Sequence, residues 1–90
     1  MTVVRKKITV VNRLGLHARP AAQIVQKASQ FKSEIKLSKD GLEVNAKSIM
    51  GVMMLAAEMG SAVVVIAEGS DEEAAANAIV EVFASKFGEE

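Results

Sequence analysis

The spacing of apolar residues along this 90-residue chain alternates between two periods, and that alternation is the strongest constraint on its fold. Apolar residues at every second position indicate strands, and apolar residues three or four apart indicate one face of a helix. The segments with strand character are residues 2–12, 34–38 and 42–45 and the β-branched run at residues 62–67. Asp40 and Gly41 form a hairpin turn signal between the second and third segments. The sequence therefore predicts four strands, two of them in a hairpin.

Three other segments have the spacing and the end signals of helices: residues 18–31, residues 49–59 and the residues after 70. Pro20 falls in the first turn of the first helix, where its missing N–H is not needed. Ser48 is the predicted N-cap of the second helix, and Gly60 follows its last residue. Ser70 and Glu73 form a predicted capping box at the start of the third helix, which closes near residues 86–88.

The predicted order of elements is thus β-α-β-β-α-β-α. We expect the helices to collect on one face of the sheet, an arrangement that makes two layers. The sequence predicts the α+β class, as an open-faced two-layer sandwich of four strands and three helices. No linker, repeat or low-complexity stretch divides the chain, so residues 1–90 are predicted to form a single domain.

The composition excludes several kinds of site. Cysteine is absent and histidine occurs once, which rules out disulfides, thiolate metal sites and multi-histidine metal centres. We expect neither a metal nor a cofactor. The longest apolar run, residues 62–67, is far shorter than the ~20 residues of a membrane-spanning helix, and no signal-peptide pattern occurs. A cytoplasmic protein without membrane insertion is therefore predicted.

The charges are balanced overall but unevenly distributed along the chain. Residues 1–47 contain ten of the eleven Lys and Arg residues against three acids, a net charge of +7, and residues 48–90 have a net charge of −7. This asymmetry predicts either a basic surface that attracts phosphate or an acidic partner, or a fold that interleaves the two halves and leaves no such surface. Charge alone does not separate the two.

His17 lies just before the predicted start of the first helix, followed by Ala18, Arg19 and Pro20. The first N–H groups of a helix lack internal partners and carry partial positive charge, which makes this end a natural phosphate site. A neutral imidazole there is a nucleophile for a phosphoryl donor, and the Arg19 guanidinium has a donor array that fits phosphate oxygens. The alternative is that His17 is an ordinary solvated residue at a helix start.

The second predicted helix is apolar on every side, although a two-layer domain buries only one side of a helix. Val52, Leu55 and Ala56 are predicted to face inward. The residues predicted to remain outside as a partner-binding patch are Ile49, Met50 and Met53, with the adjacent Lys47. Methionine side chains suit a surface that meets several partners. The alternative is a helix that is embedded on all sides.

Ser48 has two interpretations. As an N-cap, its hydroxyl accepts a helical N–H, typically worth ~1 kcal/mol. A hydroxyl beside Lys47 and an apolar patch is also a candidate phosphorylation site. Phosphate there would be tolerated at the helix start but would be costly to bury against a partner, so it would switch docking off without unfolding the protein.

Two motifs resemble those of a known family: Gly-Leu-His-Ala-Arg-Pro-Ala at residues 15–21 and Val-Asn-Ala-Lys-Ser-Ile-Met-Gly-Val-Met at residues 44–53. They closely resemble the two signatures of HPr, the histidine-containing phosphocarrier of the bacterial phosphoenolpyruvate-dependent phosphotransferase system. The length and the order of elements match over essentially the whole chain. The resemblance implies an antiparallel sheet with three helices on one face.

The resemblance also implies roles for single residues. His17 would be phosphorylated at Nδ1 by enzyme I, which draws on phosphoenolpyruvate, and would pass the group to a sugar-specific enzyme IIA. Arg19 would assist the transfer, and Ser48 would be modified by an ATP-dependent kinase as a regulatory signal. Ile49, Met50 and Met53 would face the partners. The protein would be a relay rather than a stand-alone enzyme, and we expect a monomer because its surface must alternate between partners.

Two alternatives remain. One is a nitrogen-type regulatory phosphocarrier, which has the same histidine chemistry and a different recipient. The other is a non-catalytic binding module, such as an RNA-binding domain. Such domains generally stack bases on aromatic side chains of strands. Phe31, Phe83 and Phe87 are all predicted on helices and the net charge is zero, so nucleic acid is not an expected partner.

Overall fold

A computed structural model describes residues 3–89. The elements in chain order are β1 (Val4–Thr9), α1 (Ala18–Ala28), β2 (Glu34–Lys39), β3 (Leu42–Asn45), α2 (Ile49–Met54), β4 (Ala62–Glu68) and α3 (Glu72–Ala84), followed by a short 3-10 turn, Lys86–Gly88. The predicted order β-α-β-β-α-β-α is confirmed. Thr2, at the start of the first predicted strand, lies outside the described residues, and within them that strand is limited to β1.

The four strands form one antiparallel sheet with the spatial order β1-β4-β2-β3. Asp40 and Gly41 join β2 to β3, both with positive φ (51° and 85°), as the hairpin turn signal predicts. Leu37 lies opposite Val65 on one side and Val44 on the other, which places these three side chains on the same face. The antiparallel sheet implied by the resemblance is therefore confirmed.

One face of the sheet carries the helices and the hydrophobic core. Alternate residues of the strands are buried there, as the two-residue period predicts: Ile35, Leu37, Val44, Val63, Val65 and Ala67. The helices contribute Ile24 from α1, Val52 from α2 and Ile79 and Phe83 from α3, which are all at most 1% exposed. The predicted α+β open-faced two-layer sandwich is thus confirmed.

The opposite face of the sheet is charged and mixed in sign. A shallow cavity of about 130 Å³ is lined there by basic and acidic side chains together: Arg5, Lys36, Glu34, Glu43 and Glu68. Four of these five residues belong to the basic half of the chain, and Glu68 on β4 belongs to the acidic half. Both signs of charge thus occur together at this cavity, which is not a purely basic surface.

The first two helices are shorter than predicted. α1 ends at Ala28, so Phe31 lies beyond the helix, where it packs half-buried against the core. α2 ends at Met54 and does not extend to residue 59. Ala56 has a positive φ of 48° and is exposed, so its prediction as an inward-facing residue is wrong. Helical spacing does not continue past the left-handed residue, and buried Ala57 takes the inward position instead.

The predicted cap of the third helix is also wrong. Asp71, not Ser70, is the N-cap of α3, since the Asp71 carbonyl accepts the Ala75 N–H at 2.9 Å. Glu72, not Glu73, reaches back, because its Oε1 accepts the Gly69 N–H at 3.0 Å. The local pattern of Ser70 to Glu73 fits either register, and the long-range contacts of Asp71 select the observed one. Within residues 3–89, no helix combines the length and the apolar character needed to cross a membrane.

Candidate functional site

The loop that precedes α1 is fixed by contacts on both sides. The buried Asn12 side chain donates from Nδ2 to the Gly15 carbonyl at 2.7 Å, and the Leu16 N–H donates to the Ala57 carbonyl at 2.9 Å. Gly15 has a φ of +68°, and a Cβ on it would collide with the Ala57 carbonyl oxygen. Only glycine fits this conformation and this close approach without strain. The loop therefore delivers the next residue, His17, in a defined place.

His17 is the N-cap residue of α1. Its backbone is extended (φ −79°, ψ −170°), and its carbonyl accepts the Ala21 N–H at 3.0 Å, so the helix begins directly behind it. Its side chain makes no capping hydrogen bond and is 37% exposed. Pro20 has no N–H to offer, so the donors that the helix itself leaves without a partner are the N–H groups of Ala18 and Arg19. The first turn contains no acid to neutralise them.

The His17 ring contacts a carboxylate from the other end of the chain. Nε2 lies 3.0 Å from Glu89 Oε1 and 3.2 Å from Oε2, and Asn12 Nδ2 donates to the same Oε1 at 2.9 Å. The hydrogen bond from Asn12, the contact with His17 and the nearby charge of Arg19 together hold the pKa of Glu89 below its ordinary 4.5. Glu89 is thus an ionised, mostly buried neighbour of the ring, with a side chain only 16% exposed.

The segment that carries Glu89 is anchored. Phe87 is 3% exposed and meets Phe83 edge to face, with 5.1 Å between ring centroids. The Gln23 side chain, from α1, donates to the Phe87 carbonyl at 2.9 Å. These contacts hold the chain so that Glu89 falls beside His17. Sequence reasoning missed both Glu89 and Asn12, because a contact across 72 residues leaves no local spacing pattern.

Arg19 is exposed at the first turn of α1, and within residues 3–89 its guanidinium makes no hydrogen bond or ion pair. Its charge nevertheless contributes to the lowered pKa of Glu89, the carboxylate that contacts His17. The structure places His17 and Arg19 at the start of α1, next to its open N–H groups, where the sequence predicts them. An imidazole, a guanidinium and two backbone donors can together bind and receive an anionic group.

Ser48 is the N-cap of α2, as predicted. Its Oγ accepts the Gly51 N–H at 3.1 Å, so the hydroxyl already satisfies one helical donor. Lys47, next to it, is half-buried, and its Nζ donates to the Phe31 carbonyl at 2.9 Å. The Lys47 ammonium thus connects the start of α2 to the segment after α1.

The apolar side chains of α2 divide as the sequence predicts at most positions. Val52 and Leu55 are buried, whereas Met50 is 77% exposed and Ile49 and Met53 are 44% and 43% exposed. Six other large apolar side chains of the described residues are exposed, and the most exposed of them, Leu14, Met54 and Met59, were not predicted. The backbone hydrogen bond from the Leu16 N–H to the Ala57 carbonyl places the segment after α2 directly against the loop before His17.

Comparison with known proteins identifies relatives over nearly the whole chain. The sequence model described as "PTS-HPr: PTS HPr component phosphorylation site" matches residues 4–85. A phosphocarrier protein HPr of Treponema pallidum (strain Nichols) is 56% identical over 88 residues, which is 98% of this chain and all of that protein.

Two solved structures from Thermoanaerobacter tengcongensis are also similar. HPr-C-His is 53% identical with a TM-score of 0.90 and covers 100% of this chain and 99% of that one. The HPr dimer is 55% identical with a TM-score of 0.75 and covers 91% and 94%.

Proposed function

Because this chain belongs to the HPr family of phosphocarrier proteins, we propose that His17 accepts a phosphoryl group from enzyme I and passes it to an enzyme IIA in sugar uptake. A member of this family is a relay and not a stand-alone catalyst. The observation that carries the proposal is the half-exposed imidazole at the start of α1, beside Arg19 and in front of a first turn that contains no acid.

The geometry supports Nδ1 of His17 as the acceptor atom. Nε2 is occupied by Glu89, so Nδ1 is the ring nitrogen left for the phosphorus atom. The Nδ1 lone pair attacks phosphorus, the N–P bond forms, and the bond from phosphorus to the donor breaks with its electron pair leaving on the donor. The negative charge on the transferring oxygens is met by the N–H groups of Ala18 and Arg19 and by the Arg19 guanidinium, which stabilise it by position.

The test is direct labelling. The protein is incubated with enzyme I and phosphoenolpyruvate, and the expected product carries one phosphate that is lost in acid and kept in base. His17→Ala should take up no phosphate, and Ser48→Ala, the matched control at another helix start, should be labelled as the wild type is. Label that survives in His17→Ala would refute the proposal.

The recipient is tested with the labelled protein. We expect the phosphate to move to an enzyme IIA of the sugar branch. Transfer to the regulatory enzyme IIA of the nitrogen branch alone would replace sugar uptake with the second role that the sequence leaves open.

Ser48 is the proposed regulatory site, modified by a serine-directed, ATP-dependent HPr kinase. Phosphate there adds about −1.5 to −2 charges next to the exposed side chains of Ile49, Met50 and Met53, which we propose as the surface that docks enzyme I and enzyme IIA. The added charge makes this surface costly to desolvate against a partner. Lys47 belongs to the same proposed surface, although its ammonium donates a hydrogen bond to the Phe31 carbonyl.

The regulatory proposal predicts a loss of docking without a loss of fold. The phosphorylation rate with enzyme I is compared between the wild type, Ser48→Asp, the uncharged control Ser48→Asn and, most directly, protein phosphorylated on Ser48. We expect Ser48→Asp and the phosphoprotein to be phosphorylated more slowly by enzyme I because their KM is higher. Ser48→Asn should remain close to the wild type. Equal rates in all four would refute the role of Ser48 as a switch.

We further propose that residues 1–90 act as one cytoplasmic domain and as a monomer, because one transferring surface has to serve two partners in turn. The single core between sheet and helices supports the one-domain part of this proposal. The HPr dimer of Thermoanaerobacter tengcongensis shows that a related chain can pair. Light scattering at the concentrations used for transfer decides the point, and a dimer mass would reject the monomer.

A further inference from the structure

We propose that Glu89 is a positioning residue for phosphoryl transfer: its carboxylate selects the tautomer of His17 and balances the charge that the ring acquires when Nδ1 binds phosphorus. This inference rests on the proposed function of His17. Nothing in the two sequence motifs points to Glu89, and its role follows from its contact with the ring alone.

The first step concerns which nitrogen of His17 carries the proton. An ionised carboxylate can only accept hydrogen bonds, and both oxygens of Glu89 lie within 3.2 Å of Nε2. Nε2 must therefore be the protonated nitrogen. In a neutral imidazole the other nitrogen then holds the lone pair, so Nδ1 is prepared as the nucleophile.

The second step concerns why Glu89 stays ionised and in place. Asn12 Nδ2 donates to the same oxygen that faces His17, and the Arg19 charge acts on the carboxylate as well. The segment itself is anchored by the buried Phe87 and by the Gln23 hydrogen bond to its carbonyl. The Glu89 side chain is therefore held in place before the reaction, and it loses little further conformational freedom when phosphate is transferred.

The third step concerns charge during transfer. When Nδ1 of the Nε2-protonated ring forms the N–P bond, the ring becomes a cation, and the Glu89 carboxylate 3.0 Å from Nε2 offsets that charge and keeps the proton on Nε2. When a recipient nucleophile then attacks phosphorus, the N–P bond breaks and its electrons return to Nδ1. The ring leaves as the same neutral tautomer, so neither half of the transfer needs a proton to be supplied or removed.

The experiment reads the ring directly and separately measures transfer. Nitrogen-15 NMR of His17, at a pH where the ring is neutral, identifies which nitrogen carries hydrogen. We expect one Nε2-protonated tautomer in the wild type. In Glu89→Gln, whose amide can both donate and accept, we expect a mixture of the two tautomers. Glu81→Gln, the same change at an exposed position of α3, is the matched control and should match the wild type.

The transfer arm uses the same variants with enzyme I and phosphoenolpyruvate. We expect the kcat for phosphorylation of Glu89→Gln to fall by about tenfold with little change in KM, the scale of a lost hydrogen bond to a charged group. Glu89→Asp, which keeps the charge on a shorter side chain, should recover part of the loss. A role in packing alone would not separate Glu89→Gln from Glu89→Asp in this way.

The outcomes separate the two proposals. If Glu89→Gln has the tautomer and the transfer rate of the wild type, Glu89 is not a positioning residue, whatever His17 does. If the tautomer changes as expected but the wild type accepts no phosphate, the proposed function fails while the contact still orders the ring. A changed tautomer with an unchanged rate overturns the role in transfer.

Discussion

The two longer helices begin under opposite electrostatic conditions. α1 starts at His17, whose side chain does not cap it, and its first turn contains no acid. α3 starts at Asp71, whose side chain also makes no capping hydrogen bond, but its first turn contains Glu72 and Glu73. Every helix start carries partial positive charge. α3 meets this charge with its own side chains, whereas α1 leaves it for an anion that comes from outside, which is what a phosphoryl acceptor requires.

The largest effect is expected at Gly15, in the loop that positions the start of α1, because the structure leaves no room there for a Cβ atom. Gly15→Ala forces a left-handed conformation on alanine and drives its Cβ into the Ala57 carbonyl, so we expect a loss of about 2 to 4 kcal/mol in the free energy of unfolding. Gly41→Ala is the control, since Gly41 also has a positive φ but nothing within 4 Å. It should cost about 1 to 2 kcal/mol. Urea unfolding of both variants measures the difference, and equal losses would show that close approach at Gly15 is unimportant.

The charge at the start of α1 can be tested at Arg19. Arg19→Ala removes the only cationic side chain of that turn, and we expect phosphorylation by enzyme I to slow by about ten- to a hundredfold, as when one donor to a developing anion is lost. Arg19→Lys keeps the charge without the planar fork and should lie between the two. The folded stability should barely change, since Arg19 is exposed. A rate for Arg19→Ala equal to that of the wild type would show that the helix donors alone suffice.

The start of α3 should respond to acid. The Asp71 carboxylate accepts hydrogen bonds from the Ser33 hydroxyl and from the N–H groups of Lys32 and Ser33, which together lower its pKa from 3.8 to about 2. Because the folded pKa is depressed, the stabilisation is complete above pH 3.8 and is lost as the pH falls to about 2. Urea unfolding at several pH values should give a weaker pH dependence for Asp71→Asn over that interval. Parallel curves for the two proteins would contradict the assignment.

The smallest effect on stability is expected from placing an acidic residue in the first turn of α1, as in α3. This substitution tests the difference between the two helix starts most directly. Ala18→Glu places a carboxylate in the exposed first turn of α1, which should stabilise the protein by about 0.3 to 1 kcal/mol. It should also slow phosphorylation of His17, because the incoming phosphate meets a negative charge. Ala18→Gln, of equal length and no charge, should do neither. A variant that gained stability and kept its full phosphorylation rate would break the link between the open helix start and its function.

The helix starts also show which features of the fold and of the candidate site can be predicted from the sequence. Ser48 was predictable because its cap is made within three residues, to Gly51. The placement of His17 and Arg19 at the start of α1 was predictable because Pro20 marks that helix start. The N-cap of α3 was not, because Ser70 and Asp71 are equally good capping residues and a contact with Ser33, 38 residues away, decides between them. Glu89 escaped prediction for the same reason, since its partner is folded against it from the other end of the chain.

The order of strands has a consequence for how the molecule forms. β2 and β3 are joined by two residues and can pair locally. β1 pairs only with β4, so Val4 cannot pair until the distant residue Ala67 is available. Pairing across so much intervening chain slows folding, because the closure entropy is spent before the contacts form. Until β4 is made and docked, β1 is a strand without a neighbour, and such a strand can pair with another chain. Mutations that delay β4 should therefore be seen first as aggregation during synthesis, before any loss of equilibrium stability is measured.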